Sequence, residues 1–588
     1  MTRYPHLKSN IDALNRFGHA AFGWLSGQDL DPERLNGNVF KNAHGMVDFR
    51  MPDGKGLFDA LPPQGLYQDW VPRTKADTSA TIIVGSNVGY GLNHLLMNTP
   101  DSHKIIVLEP NAEVLLACLG QTDYSAFLEI KKLHFALPDE GYINEVIRNL
   151  DLQFIYGHIH LRGDLPSRQI GPEYARWLEF TRGRLENFSV ELTTLRFRQD
   201  MMVGNELHNF QRTVQEGSLL PLRGAAEGLG AVILGAGPSL AQFAPALREQ
   251  RGNALYTTAL QTMPALQRFD LKPDLCLAID FDKSMGAVYD RLDREWAADV
   301  PLIYSTKMDP DVVARYPGPT HPLWTLGGMA TFVMSKDELV LDAGGNVSLT
   351  LVRFLRWCGA AHLLLVGQDL AWKGESSHVA GHHSAAPRRI FNPRQHQKLA
   401  NLHGEEIIST PQYLAARREL EADLRKTPFP VYNLYGGGVV IAGTRNLTLD
   451  EVRTQGTLAS APGSRDRFLE ALGRTRQCRR ALRFEPRSPR WTSSLRHAEK
   501  RLEKLFRKVD RNQDEIHQVL DQALLFVKQD PLYLPYLYNE TMNLAGLVKA
   551  RHGYERKDFS EIRGIFKNVL SKVREVDRCV ACPDDAAA

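Results

Sequence analysis

From residue 80 onward, short wholly apolar runs alternate with longer stretches of helical period, the pattern of a parallel sheet covered by helices. Residues 81–84 and 104–108 are the first two such runs. The glycine turn Gly85-Ser-Asn-Val-Gly-Tyr-Gly91 and a helix from Leu92 separate them, and further apolar segments follow at 132–135 and 153–156. A second block carries the clearest strands, at 231–234, 254–256, 275–279, 302–304 and 362–366, most of them parted by helical stretches. Runs this continuous belong to strands buried on both faces, so an open, doubly wound sheet is predicted, with ligands held at the carboxyl ends of its strands. Past Pro462 the strand pattern ends. Leu495, Leu502, Val509, Ile516 and Ala523 recur every seven residues, with Leu505, Val519 and Phe526 filling much of the companion seam. That period predicts one long helix in a bundle, its partners drawn from 531–552 and 558–576.

The chain of 588 residues is too long for one core. The expected division is a helical and loop lead-in over 1–75, a Rossmann-like α/β domain over 76–165, a helical connector over 166–214, a central doubly wound domain over 215–462 and a C-terminal helical domain over 463–588. With 43% hydrophobic and 24% charged residues and a net charge of +3, the composition is that of an ordinary globular protein and excludes a disordered one. No stretch is apolar enough to span a bilayer, and no signal peptide is evident. The six cysteines lie at 118, 276, 358, 478, 579 and 582, and three fall within apolar patterns. The pair Cys579 and Cys582 lacks a second ligand pair for a zinc site. A reducing compartment, the cytoplasm, is expected. Between Arg465 and Lys508, 15 Lys and Arg face five Asp and Glu. That excess reads as the solvated face of a bundle or a steering surface for an acidic protein. Aromatics are too sparse there for stacking on single-stranded nucleic acid.

Chemistry gathers at strand ends. Gly235-Ala-Gly-Pro-Ser-Leu240 stands directly after a buried strand and before a helix. Gly235 and Gly237 allow a sharp turn close to a ligand, Pro238 suits a first helical turn, and Ser239 caps it. The helix start favours an anion, typically phosphate. Asp280 and Asp282 end the 275–279 strand, where carboxylates take ribose or sugar hydroxyls or, as an Asp-x-Asp pair, a divalent ion. Gly344, Gly345 and Asn346 open another helix, and Gln368 and Asp369 end the 362–366 strand at the same rim. The cluster His378-Val-Ala-Gly-His-His383 offers a general base or acid in a Gly- and Ser-rich loop. The run from Tyr435 to Ala442 is a turn near the site or a link into a last strand. In the first block, the 85–91 turn followed by Glu109 looks like the nucleoside-binding half of a methyltransferase. The rest of such an enzyme is hard to find, so that turn is read as structural or as an accessory ligand site.

The GPS turn, the strand before Asp280, and the run from Gly344 through Gln368-Asp369 to the histidines, in that order, resemble the motility-associated factor (Maf) glycosyltransferases. The central domain of that family is similar to bacterial sialyltransferases and to an archaeal 6-hydroxymethylpterin diphosphokinase. The resemblance implies transfer of a nonulosonic sugar, pseudaminic or legionaminic acid, from a CMP-activated donor to Ser or Thr of flagellin. On that pattern Gly235, Gly237, Pro238 and Ser239 hold the CMP phosphate, and Gly344, Gly345 and Asn346 close the site. Asp280 and Asp369 orient sugar or cytidine, and His378 serves as general base or stabilises the leaving phosphate. The expected partners are flagellin and the nucleotide sugar, the donor being a substrate, and Mg²⁺ stays open as a cofactor. A rival reading makes Asp280 and Asp282 ligands of Mg²⁺ in a diphosphokinase holding ATP on the GPS turn. A third is a non-catalytic flagellin-binding protein.

Overall fold

A computed structural model of the chain describes residues 4–30, 32–59, 63, 65–331, 333–374, 376–382, 391–393, 395–478, 484–551 and 553–580. The chain packs as two compact units, Met1–Thr194 with Met542–Tyr554 and Leu195–Thr541 with Glu555–Ala588. The segment 463–588 is thus divided between them.

The first unit is built on a wholly parallel sheet of β1 (Ala80–Val84), β2 (Lys104–Leu108), β3 (Leu133–Ala136) and β4 (Ile159–Gly163), in the order β3-β2-β1-β4. The expected strand at 153–156 is instead part of a helix, Asp151–Tyr156. The strand is the half-buried segment after it, in which His160 and Arg162 alternate with apolar residues. Pairing with β1 along its full length, rather than an apolar run, makes that segment a strand.

The second unit contains nine parallel strands. They are β5 (Gly230–Leu234), β6 (Leu255–Ala259), β7 (Leu275–Ala278), β8 (Leu302–Ser305), β9 (Thr320–Thr325), β10 (Val340–Leu341), β11 (His362–Val366), β12 (Val431–Leu434) and β13 (Arg445–Leu447). Their order is β10-β9-β8-β7-β6-β5-β11-β12-β13. Alternate residues feed two cores: Ala231, Ile233, Leu363 and Leu365 face one, and Val232, Leu234, Leu364 and Val366 the other. Both faces are covered, as the continuous apolar runs require. The sequence pattern passes over β9, β12 and β13, whose His321, Pro322, Asn433 and Arg445 interrupt the apolar signal, and over β10, which is two residues long.

The helices that matter for the site are α1 (Glu173–Glu216), α2 (Leu240–Glu249), α3 (Val347–Cys358) and α4 (Pro411–Leu424). At the C-terminus the predicted single long helix is two, α5 (Ser488–Phe506) and α6 (Gln513–Lys528). The break falls at Lys508–Asn512, where the Asn512 side-chain amide donates to the Leu505 carbonyl at 2.9 Å and closes off the end of α5. Leu495, Leu502, Val509, Ile516 and Ala523 are nonetheless all buried, because α6 folds back against α5. Two further helices, α7 (Tyr538–Lys549) and α8 (Asp558–Val580), follow, and α8 packs on α5. Among the described residues, no helix is long and apolar enough to cross a membrane.

Candidate functional site

The chain leaves β5 and winds outward through β6 to β10, then returns to β11 on the other side of β5. The crevice between β5 and β11 is therefore the topological switch point, where open parallel sheets bind ligands. The two turns that leave these strands interlock. The Gly235 N–H donates to the Val366 carbonyl at 2.7 Å, and the Gly237 N–H to that of Gly367 at 2.9 Å. Ser239 donates twice to Asp369, from its N–H at 2.8 Å and from its hydroxyl at 2.7 Å. A Cβ at Gly237 would strike the Asp369 carboxylate and lie 2.6 Å from the Gly367 carbonyl oxygen. One at Gly235 would strike the Gln368 amide. The glycines are required because two backbones and a carboxylate meet in contact.

Asp369 lies at the start of α2, the position at which the sequence places a phosphate. Its carboxylate takes the Ser239 N–H, while the Leu240 and Ala241 N–H groups turn back to the carbonyls of Gly237 and Pro238. Burial raises the Asp369 pKa, and the two bonds from Ser239 offset only part of that. The helix start thus already holds an acidic group of the chain itself.

The start of α3 joins the same place. Asn346 caps it, accepting from the Ser348 N–H at 2.7 Å, and the Ser348 hydroxyl accepts from the Gln368 amide at 2.7 Å. Gly344 sits in the left-handed region at φ 62°, and Gly345 is exposed to open space. From the far side comes the Tyr435–Ala442 turn: Gly436 rests on Ser239, and the Val439 N–H donates to the Asp369 carbonyl at 2.9 Å. The histidine segment is tied to the glycine turn by a 2.8 Å bond from the Val379 N–H to the Ala236 carbonyl. His378 stacks on His382 with ring centroids 4.3 Å apart. Its Nδ1 is 3.1 Å from the Ser377 hydroxyl and its Nε2 is 3.3 Å from the Tyr413 hydroxyl on α4. His383 lies outside the described residues, as does Cys582.

Gln261, two residues beyond β6, escaped the sequence reading because no motif surrounds it. Its side-chain oxygen is buried and, among the described residues, has no hydrogen-bond partner. A buried acceptor left open beside the switch point suits a donor group on a ligand. Tyr413 was likewise missed; no motif marks it in the first turn of α4, and only packing sets it on His378.

Asp280 and Asp282 stand apart from this group. They follow β7, two strands from β5 and so about 10 Å along the sheet. The Asp282 carboxylate caps the turn Lys283–Asp290 through the Ser284 N–H at 2.9 Å, which lowers its pKa, and the Asp280 carboxylate accepts the Asp282 N–H at 3.0 Å. This half of the rim is covered by α1 beyond Leu195. Asn205 donates to the carbonyls of Phe281 and Lys307, Asn209 to those of Thr306 and Met308, and Gln199 to that of Gly327. Glu206 accepts from the Met329 N–H and the Thr306 hydroxyl. Among the described residues, no three His, Cys, Asp or Glu side chains gather as a metal site.

The site residues from Gly235 to Gln368 fall within residues 204–375, which match the family described as 6-hydroxymethylpterin diphosphokinase MptE-like. The fold is shared with the solved structure of a MAf glycosyltransferase from Magnetospirillum magneticum AMB-1. The TM-score is 0.62 at 16% identity, over 97% of this chain and 96% of that one. No curated protein matches the chain.

Proposed function

We propose that the protein is a glycosyltransferase that moves a nonulosonic acid, pseudaminic or legionaminic, from a CMP-activated donor to Ser or Thr of flagellin in the cytoplasm. The observation that carries this reading is the meeting of the Gly235–Ser239 turn, Gln368-Asp369, the start of α3 and the His378 segment at one switch point. The shared fold with a MAf glycosyltransferase along nearly the whole chain supports it.

In the proposed reaction the acceptor hydroxyl oxygen bonds to the anomeric carbon while the bond from that carbon to the CMP phosphate oxygen breaks, its electron pair leaving with CMP. His378 takes the hydroxyl proton. The transition state is oxocarbenium-like, so holding the charge that develops on the leaving phosphate supplies much of the rate. Gly235, Gly237, Pro238 and Ser239 shape the nucleotide seat. Gly344, Gly345 and Asn346 close the site from the start of α3, where the Gly344 N–H donates to Asp342, the Gly345 N–H to Glu419 and the Ser348 N–H to Asn346. Asp369 and Asp280 orient cytidine or sugar, and Gln261 supplies an acceptor.

The test is calorimetric binding of CMP, CDP, ATP and GTP, each with and without Mg²⁺. Mg²⁺-indifferent CMP binding, retained in His378→Ala while transfer to flagellin is abolished, is the expected result. The match over 204–375 favours a second reading, Mg²⁺-dependent diphosphoryl transfer with Asp280 and Asp282 on the metal. Tight ATP binding that needs Mg²⁺ would establish it in place of the first. The use of Asp282 as a turn cap argues against that outcome. Unchanged flagellin binding with no transfer by the wild-type protein would point to a non-catalytic flagellin-binding role.

A further inference from the structure

The first unit has a switch point of its own. β1 and β4 are neighbours, the 85–91 turn leaves β1, Glu109 directly follows β2, and Asp164 directly follows β4. Place and residues are those that hold a nucleoside in such sheets. A carboxylate offers about four acceptor positions, and here all are taken by the chain. Glu109 accepts from the Ser86 N–H at 2.6 Å, the Ser86 hydroxyl at 3.0 Å, the Asn111 N–H at 3.0 Å and the Tyr174 hydroxyl at 2.5 Å. Asp164 accepts from the Ser167 N–H at 2.8 Å, the Ser167 hydroxyl at 2.6 Å, the Tyr67 hydroxyl at 2.9 Å and the Asn87 amide at 3.0 Å.

Most donors of the turn are spent as well. The Gly89 and Tyr90 N–H groups donate to the Asn87 side chain, and the Asn87 N–H donates to the Ser167 hydroxyl. Tyr67, Ser86, Asn87, Glu109, Asp164 and Tyr174 are all buried. Tyr67 comes from the loop before β1, and Tyr174 is the second residue of α1.

We propose that this switch point is a filled socket, in which the hydroxyls of Tyr67 and Tyr174 take the carboxylate positions that a bound nucleoside's hydroxyls would use. The unit binds no nucleoside, and its glycine turn serves to anchor the lead-in loop and the first turn of α1. This inference is independent of the reaction assigned to the central sheet.

Hydrogen exchange on the full chain tests it, with and without S-adenosylmethionine, S-adenosylhomocysteine, NAD⁺ or adenosine at about 1 mM. The amides of 85–91 are expected to exchange at the same rate under every condition. They are also expected to exchange at least tenfold faster in Tyr174→Phe, which removes one of the four donors to Glu109. A several-fold slowing at 85–91 on addition of any of these compounds would overturn the proposal, as would unchanged exchange there in Tyr174→Phe. The wild-type arm stands even if the variant does not fold.

Discussion

At the scale of single residues, the contact between Gly237 and Asp369 controls the switch point. Gly237→Ala forces a methyl group into the Asp369 carboxylate and toward the Gly367 carbonyl, neither of which can retreat without breaking the turn. Overpacking of this kind costs about 1–3 kcal/mol, to be read from the urea midpoint of the second unit. Asp369 separates two effects. Asp369→Ala strands the buried Ser239 N–H and should cost about 1–3 kcal/mol. Asp369→Asn keeps an acceptor for that N–H, and the Ser239 hydroxyl can turn to accept from the new amide, so a loss below about 1 kcal/mol is expected. Equal losses in the two variants would show that charge, not hydrogen bonding, holds Ser239.

Glu109 gives the corresponding pH dependence in the first unit. Burial is the largest influence on its carboxyl and pushes the pKa up to about 7, against the four bonds that lower it. Between its ordinary value of 4.5 and about 7, the folded chain holds a proton that the unfolded chain has released. Its contribution is thus full below pH 4.5 and is lost as pH rises through about 7, a change on the order of 3 kcal/mol. Glu109→Gln, which is neutral throughout, should flatten that slope in urea midpoints measured from pH 4.5 to 8.

Among elements, α1 matters most for how much of the rim stays open. Asn205, Glu206 and Asn209 lie on one helical face and engage the ends of β7, β8 and β9, away from the β5–β11 crevice. Glu206 and Lys307 are both buried beneath this face, and burial shifts each toward its neutral form. Asn209→Ala leaves the carbonyls of Thr306 and Met308 without their shared donor. About 1–3 kcal/mol of lost stability is expected, with faster amide exchange confined to 305–309. Global loss of protection instead would show that α1 nucleates the whole unit.

For the whole molecule, two units with separate cores predict two calorimetric transitions rather than one. A nucleotide bound at the β5–β11 crevice stabilises only the unit that contains it, by mass action. CMP should therefore raise one transition and leave the other in place. Movement of both transitions together would mean that the units unfold cooperatively.

Most of the central sheet was legible because β5, β7, β8, β11 and the beginning of β6 are apolar on both faces, a pattern no amphipathic helix produces. The glycine turns that leave β5 and β11 were legible for a related reason, since glycine directly after a buried strand marks a close backbone approach, whereas their interlocking was not. Local sequence therefore determined the fold class, the two sheets and the residues at their carboxyl ends. Partners far along the chain decided the rest. Whether 153–156 or Ile159–Gly163 pairs with β1, and whether the heptads run straight or fold back at Asn512, depends on contacts that periodicity does not encode. The same holds for the placement of Asp369 on a helix start 130 residues away, and for the filling of the Glu109 socket by Tyr174, 65 residues on. A side chain's chemistry is written in the sequence, but which of its hydrogen-bonding positions remain open is settled only when distant segments pack against it.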